Sequence, residues 1–172
     1  MRFEPDEVKL EGLEKLVKAL KIKNPPKIHL GIVGTKAERS GGTSNAEIGA
    51  AHEYGSVKHN LPARSFLRMP ISEKLDESLK DAGMTDEGTL RKVIADGSIM
   101  PWLEKIRFIA KAIVIEAFDT EGWGHWSKWS RKYARRQELK MQSKRTGGKG
   151  TDNKILDDTG QLKGAIDAVI VK

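Results

Sequence analysis

The stretch after Pro101 constrains the fold more than any other. Trp102, Leu103, Ile106, Ile109, Ala110, Ile113, Val114 and Ala117 recur at threes and fours. On a helix of ~3.6 residues per turn they share an arc of roughly 140°. A helix with so wide an apolar face folds only if other elements cover it. The remaining side is not uniformly polar, because Phe108, Ala112 and Ile115 form a second apolar patch at i, i+4, i+7. Two readings of that patch stand side by side: the helix is sandwiched within the monomer, or the patch meets another subunit. The clean apolar run at 112–115 is closed by Lys111 and Glu116. That is far short of the ~20 apolar residues of a membrane span, so no membrane partner is expected.

Around this helix the sequence predicts shorter elements. Asp6 can cap a helix running to about Lys21, with Val8, Leu10, Leu13, Val17 and Leu20 on one side. Asn24-Pro25-Pro26 stops it. Ile28, Leu30 and Ile32 then alternate with His29, Gly31 and Val33 as in a strand. Polar Thr35–Ser44, with its Gly-Gly pair, reads as an exposed mobile loop. A short helix from Ala46 to Tyr54 ends at Gly55, and 61–67 runs extended around Pro62. Helices follow from about Pro70, with Ile71, Leu75 and Leu79 aligned, and from Thr85, with Leu90, Val93 and Ile94 inward. A helix from His125 to about Gln142 would carry Trp126, Trp129 and Tyr133 at i, i+3, i+7. Asp157–Gly160 reads as a turn, and 165–171 alternates as a second strand. Strands at both ends with helices between them predict one α+β domain over 1–172, a small antiparallel sheet packed against several helices.

At 172 residues the chain can bury a core without staples, and it has no cysteine. A disulfide scaffold, thiolate zinc sites and a cysteine nucleophile are thereby excluded, which fits a reducing compartment. Arg2, Glu4, Asp6, Glu7 and Lys9 leave no apolar secretion core at the start, so a soluble cytosolic protein is expected. The net charge of +7 is concentrated. Residues 126–150 hold nine cations against Glu138 alone, leaving the rest of the chain at −1. The protein reads as a near-neutral body bearing one basic element.

No motif calls for catalysis. His52-Glu53 begins like a zinc-protease helix, but Ser56 stands where the second histidine belongs, and His59 lies beyond Gly55. Gly148-Lys149 lacks the upstream glycine and strand of a phosphate loop, Gly31–Gly34 is too sparse for a dinucleotide fingerprint, and no Gly-x-Ser-x-Gly occurs. No catalytic residue, metal or cofactor is expected. The basic segment is a different matter. Lys128, Arg131, Lys132, Arg135, Arg136 and Lys140 surround an aromatic stripe. Such a surface can displace counterions from phosphates and stack on bases, so nonspecific contact with DNA is one reading. The other, which helical spacing favours, docks the aromatics on the core and leaves the cations to water or an acidic partner.

Two islands add to this. The first is Ala46-Glu47-Ile48-Gly49-Ala50-Ala51-His52-Glu53-Tyr54-Gly55, followed by Leu61-Pro62-Ala63-Arg64-Ser65-Phe66-Leu67. The second is Glu121-Gly122, then Trp126, Ser127 and Ser130, a lysine-rich gap, and Ile155-Leu156-Asp157-Asp158-Thr159-Gly160-Gln161-Leu162 before the closing strand. In this order, over about half of the chain, they resemble the virion morphogenesis or tail completion proteins of tailed bacteriophages, the group related to the Mu tail-joining protein. The helices between Met69 and Gly97 are longer than that pattern and read as an elaboration.

The resemblance implies a small α+β protein that assembles as a homo-oligomeric ring at the head–tail junction or tail end. Its partners would be copies of itself and tail-tube or connector proteins, met in the host cytoplasm and retained in the virion. The motif residues read as fold-keeping. Gly55 turns the chain after Tyr54, Pro62 holds an extended approach, and Phe66 and Leu67 plug the core. The Arg64 fork suits a carboxylate such as that of Glu53 or one from a neighbouring subunit. His52 is a hydrogen-bonded structural residue, Thr159-Gly160 turns into the last strand, and Leu162 packs beneath. Working surfaces would be the Thr35–Ser44 loop, the Phe108/Ala112/Ile115 patch and the basic arm at about Lys140–Asn153.

Overall fold

The computed structural model describes residues 13–33, 43–144, 155–156 and 160–171. In chain order they form α1 (Leu13–Ala19), β1 (Lys27–Ile32), α2 (Asn45–Tyr54), α3 (Arg68–Asp81), α4 (Glu87–Ala95), α5 (Met100–Asp119), α6 (Arg131–Lys144), α7 (Gln161–Ala165) and β2 (Ile166–Val171). This is the expected α+β class: helices with a two-stranded antiparallel sheet, β1 beside β2, packed against α5. The expected start of the first helix at Asp6, loop positions 35–42, arm positions 145–153, and Asp157 to Thr159 lie outside the described residues.

The described residues group into two compact units. Over the described residues, one takes in 13–31, 67–114 and 167–171, and the other 32–33, 43–66, 115–144, 155–156 and 160–166, so the division falls within α5. In the first unit the wide apolar arc of α5 is covered except at Ile109, which is half-buried. Trp102, Leu103, Ile106, Ala110, Ile113 and Val114 are all buried, and Leu75 and Leu79 of α3 join the same core. The Trp102 indole N–H donates to the Met84 carbonyl at 2.9 Å, which satisfies its single polar atom inside the core. Polar contacts hold the sheet to α5. Arg107 Nη1 donates to the Ala168 carbonyl at 2.9 Å, and the Lys111 ammonium pairs with Asp167 at 2.9 Å. In the second unit, α2 lies against α7. Ala117 and Phe118 from the end of α5 are buried there, together with Phe66, Trp126 and Leu162.

The second patch of α5 is not sandwiched in the monomer. Phe108 is 61% exposed, Ala112 is exposed and Ile115 is half-buried. The Arg107 guanidinium stands over the Phe108 ring, 4.6 Å from its centroid.

Several boundaries differ from the expectation for local reasons. α3 begins at Arg68, ahead of Pro70, because a proline in the first turn forfeits no intrahelical bond. α4 takes Asp86 rather than Thr85 at its N-cap. α2 is opened by a capping box that the sequence reading missed: Ser44 Oγ accepts the Glu47 N–H at 3.1 Å, and the Glu47 carboxylate accepts the Ser44 N–H at 2.9 Å. The Ser44 N–H, and with it the Ser44 hydroxyl donating at 3.0 Å, hold the Glu47 carboxyl below its ordinary pKa.

The largest correction concerns 125–130, which is not helical. Gly122, Trp123 and Gly124 all adopt left-handed φ (64°, 50°, 81°) and turn the chain away from α5. A Cβ at Gly122 would lie 2.3 Å from Nε1 of Trp126, so the indole packs on a backbone that only glycine leaves bare. α6 starts at Arg131, where the Ser130 hydroxyl accepts the Tyr133 N–H at 3.3 Å. At the other end, Gly160 does not lead straight into the last strand. It caps the single turn of α7, on which Leu162 is buried, and β2 follows from Ile166.

Candidate functional site

The two motif islands meet within the second unit. α2 ends at Tyr54, and Gly55 (φ 75°) reverses the chain where a Cβ would lie 2.9 Å from the Ala63 nitrogen. A bridge between Ser56 and Leu61 closes the small loop, with reciprocal bonds of 2.8 and 2.9 Å. Pro62 and Ala63 are exposed on the extended return, and the Arg64 N–H then donates to the His52 carbonyl at 2.7 Å. This return delivers Arg64, Ser65 and Phe66 beneath α2.

Glu53 receives that segment. Its carboxylate is buried, at 4% exposure. One oxygen accepts the Ser65 hydroxyl at 2.5 Å and the other the Phe66 N–H at 2.8 Å. Of the two carboxylates that the sequence offered Arg64, Glu53 does not meet it: Glu53 instead clamps the backbone and hydroxyl next to Arg64. Phe66 itself is fully buried, its ring 5.1 Å from that of Phe118. Trp126 meets Phe118 edge-on at 5.7 Å, and its indole N–H donates to the Ser65 carbonyl at 3.1 Å. Leu67, expected to plug the core with Phe66, is only half-buried.

Arg64 points the other way. It is 5% exposed, yet its hydrogen bonds go to backbone carbonyls of the second island: Nε to Ser127 at 2.9 Å and Nη2 to Lys128 at 3.5 Å. Burial pulls its pKa below the ordinary arginine value, while nearby Tyr133 and Glu121 act in the opposite sense. Glu121 is engaged elsewhere by one oxygen, accepting the Ile155 N–H at 2.9 Å.

His52, Arg64 and the residues leading into α6 line one cavity of about 1100 Å³ in this unit. Tyr54, Leu61, Lys128, Trp129 and Tyr133 are among the other residues of its wall. Trp129 and Tyr133 meet edge-on at 5.4 Å. His52 is not hydrogen-bonded through its ring in the expected way: Nδ1 is buried and has no partner. Burial, and secondarily the Arg64 charge, lowers its pKa to about 4, so the imidazole is neutral at pH 7.

The shift of His52 predicts how acid destabilises the protein. An unfolded chain with a histidine pKa near 6.5 binds more protons than the folded one between about pH 6.5 and 4. The contribution is fully present above pH 6.5 and is lost as the pH falls toward 4. Solvent screening of the partly exposed ring reduces it to about 1–2 kcal/mol. Urea unfolding of wild type and a His52→Leu variant at pH 7 and 4.5 is the check. The variant should lose less stability than wild type over this interval, and equal losses would contradict the assignment.

The aromatic stripe expected on one helix is split. Trp126 is buried and lies outside any helix, whereas Trp129 is half-buried before α6 and Tyr133 lies on it, 38% exposed. Lys128, Arg131, Lys132, Arg135 and Arg136 are all exposed, while the side chain of Lys140 lies outside the described residues. Among the described residues, no group of three or more histidine, aspartate or glutamate side chains is placed to hold a metal ion, and no helix is long and apolar enough to cross a membrane. Compared with protein-family models, with curated proteins and with solved structures, the chain matches none.

Proposed function

We propose that the chain is a structural protein of a tailed bacteriophage or prophage, acting in virion morphogenesis as a tail completion or head–tail joining factor of the neck. In this reading it is not an enzyme. It assembles in the host cytoplasm as a homo-oligomeric ring, joins tail-tube or connector proteins, and stays in the virion. The observation that carries the reading is the pairing of the two motif islands. They are far apart in sequence yet interlock through Trp126–Ser65 and Arg64–Ser127. A further support is the uncovered Phe108/Ala112 side of α5, since large exposed apolar side chains beside one another favour contact with another protein surface. Native mass spectrometry and electron microscopy of the purified protein, alone and with its tail or connector proteins, test this. A defined oligomer that caps or bridges those structures is expected. A strict monomer that joins none of them would overturn it.

A second reading is an accessory nucleic-acid-binding role for 126–149, favoured by the exposed cations that open α6. Burial of Trp126 removes one of its stacking groups, which leaves a mainly electrostatic contact. Binding to duplex DNA that falls steeply with salt and is lost when Arg131, Lys132, Arg135 and Arg136 are neutralised would support it. Absence of binding at low salt would dispose of it.

A further inference from the structure

The cavity wall holds a buried cation, Arg64, which feels the Glu121 charge but forms no ion pair with it. Guanidinium groups carry five N–H donors in a rigid fork, and burying one costs most when no carboxylate or phosphate faces it. Here one edge of the fork is engaged by two backbone carbonyls, and no ion pair to Arg64 is present among the described residues. The remaining donors belong to a side chain 95% removed from solvent that lines an open cavity. His52 also lines the cavity as a neutral ring, so it brings no competing charge, while its Nδ1 is closed off from solvent.

The surroundings are positive as well. Ser130 and Tyr133, at the start of α6, line the cavity, and its 14 residues place the positive end of their dipole there. That first turn contains no acid and two exposed cations, Arg131 and Lys132, while Lys128 stands on the cavity wall. Helices ordinarily place acids at this end, so an arrangement of cations alone is complementary to an incoming anion.

We propose that this cavity is a carboxylate-binding site in which Arg64 receives the side chain of an aspartate or glutamate presented by another polypeptide. Burial argues for a carboxylate over a nucleic-acid phosphate. A phosphodiester is flanked by two sugars and cannot approach a guanidinium that is only 5% exposed, whereas an acidic side chain ends on a narrow stem. Size argues for a polypeptide, since about 1100 Å³ far exceeds a free small acid and the wall offers Tyr54, Leu61, Trp129 and Tyr133 to flanking residues. The proposal does not rest on the phage assembly reading and is tested on the isolated chain.

The experiment follows the Arg64 Nε–H resonance of the full-length wild-type protein by NMR while capped glycine-rich peptides are added. They carry one central aspartate, glutamate, asparagine or phosphoserine, and acetate and duplex DNA are run in parallel. The aspartate or glutamate peptide should shift this resonance saturably, with the asparagine peptide and acetate at least about tenfold weaker. Equal response to aspartate and asparagine, or none from either acidic peptide, would overturn the proposal. A response confined to phosphoserine or DNA would make the site one for phosphate, and acetate as tight as the peptides would make it one for free acids. Either result also overturns it. Arg64→Lys, which keeps the charge and loses the fork, should abolish binding, and the wild-type titration stands alone if that variant does not fold.

Discussion

Replacing Phe66 with alanine is expected to lower the unfolding free energy by ~3–5 kcal/mol, the range for deleting a fully buried aromatic side chain. Three features place Phe66 at the top of that range. Its side chain is wholly excluded from solvent, its ring is packed on Phe118, and Trp126 adds an edge-on contact to Phe118. None of these three rings is on a loop tip that could collapse to fill the void: Phe118 belongs to α5, and Trp126 is fixed by its bond to Ser65. A Phe66→Leu variant keeps most of the volume and should cost less than about 1.5 kcal/mol. Urea unfolding followed by circular dichroism measures both. Losses under about 1 kcal/mol for the alanine variant would show that the cluster does not hold this unit together.

Glu53→Ala should be nearly as damaging, by a different route. The carboxylate is the acceptor for the Phe66 N–H and the Ser65 hydroxyl, and bonds to a charged acceptor contribute about 1.5–3 kcal/mol each. Alanine leaves a buried backbone donor with no acceptor, so a total loss of ~3 kcal/mol is expected. Glu53→Gln retains one carbonyl oxygen and turns an amide N–H₂ toward the other donor, and should fall between wild type and alanine. Glu53→Ala should also reduce hydrogen-exchange protection at the Phe66 amide. A fully stable alanine variant, or unchanged protection of that amide, would contradict the clamp.

Strong periodicities were legible in the sequence because a single physical requirement set each of them. The α5 arc reads directly as a buried face, and the alternation in β1 and β2 reads as strand. The extended return around Pro62 and the stop at Gly55 follow from dihedral limits that no neighbour changes. The i, i+3, i+7 spacing of Trp126, Trp129 and Tyr133 misled for the opposite reason. Helical spacing is necessary for a helix and does not create one, and the left-handed run at Gly122, Trp123 and Gly124 redirects the chain first. With Trp126 drawn into the Phe66 cluster, the helix waits for the Ser130 cap.

The site was legible in its residues and not in its pairings. His52, Glu53, Arg64 and Trp126 stood out in the sequence, but the obvious salt bridge between Glu53 and Arg64 does not form. Adjacent donors on the return segment, Ser65 and Phe66, reach the carboxylate first, and Arg64 is taken up by carbonyls 63 and 64 residues further along the chain. Long-range carbonyl acceptors leave no trace in a sequence, because every residue has one. The Ser44–Glu47 capping box did leave a trace, Ser-x-x-Glu before an apolar helix, and is the element that closer reading of the residues would have found.

The role proposed for the chain is that of a part fitted into a virus particle. The most direct measurement is the yield and form of particles from a lysogen or infection in which only this coding sequence is disrupted. The account predicts heads and tails that accumulate unjoined or with unfinished tail ends, a collapse of infectious titre, and rescue by the protein supplied in trans. Normal particles at normal titre without the chain would contradict it.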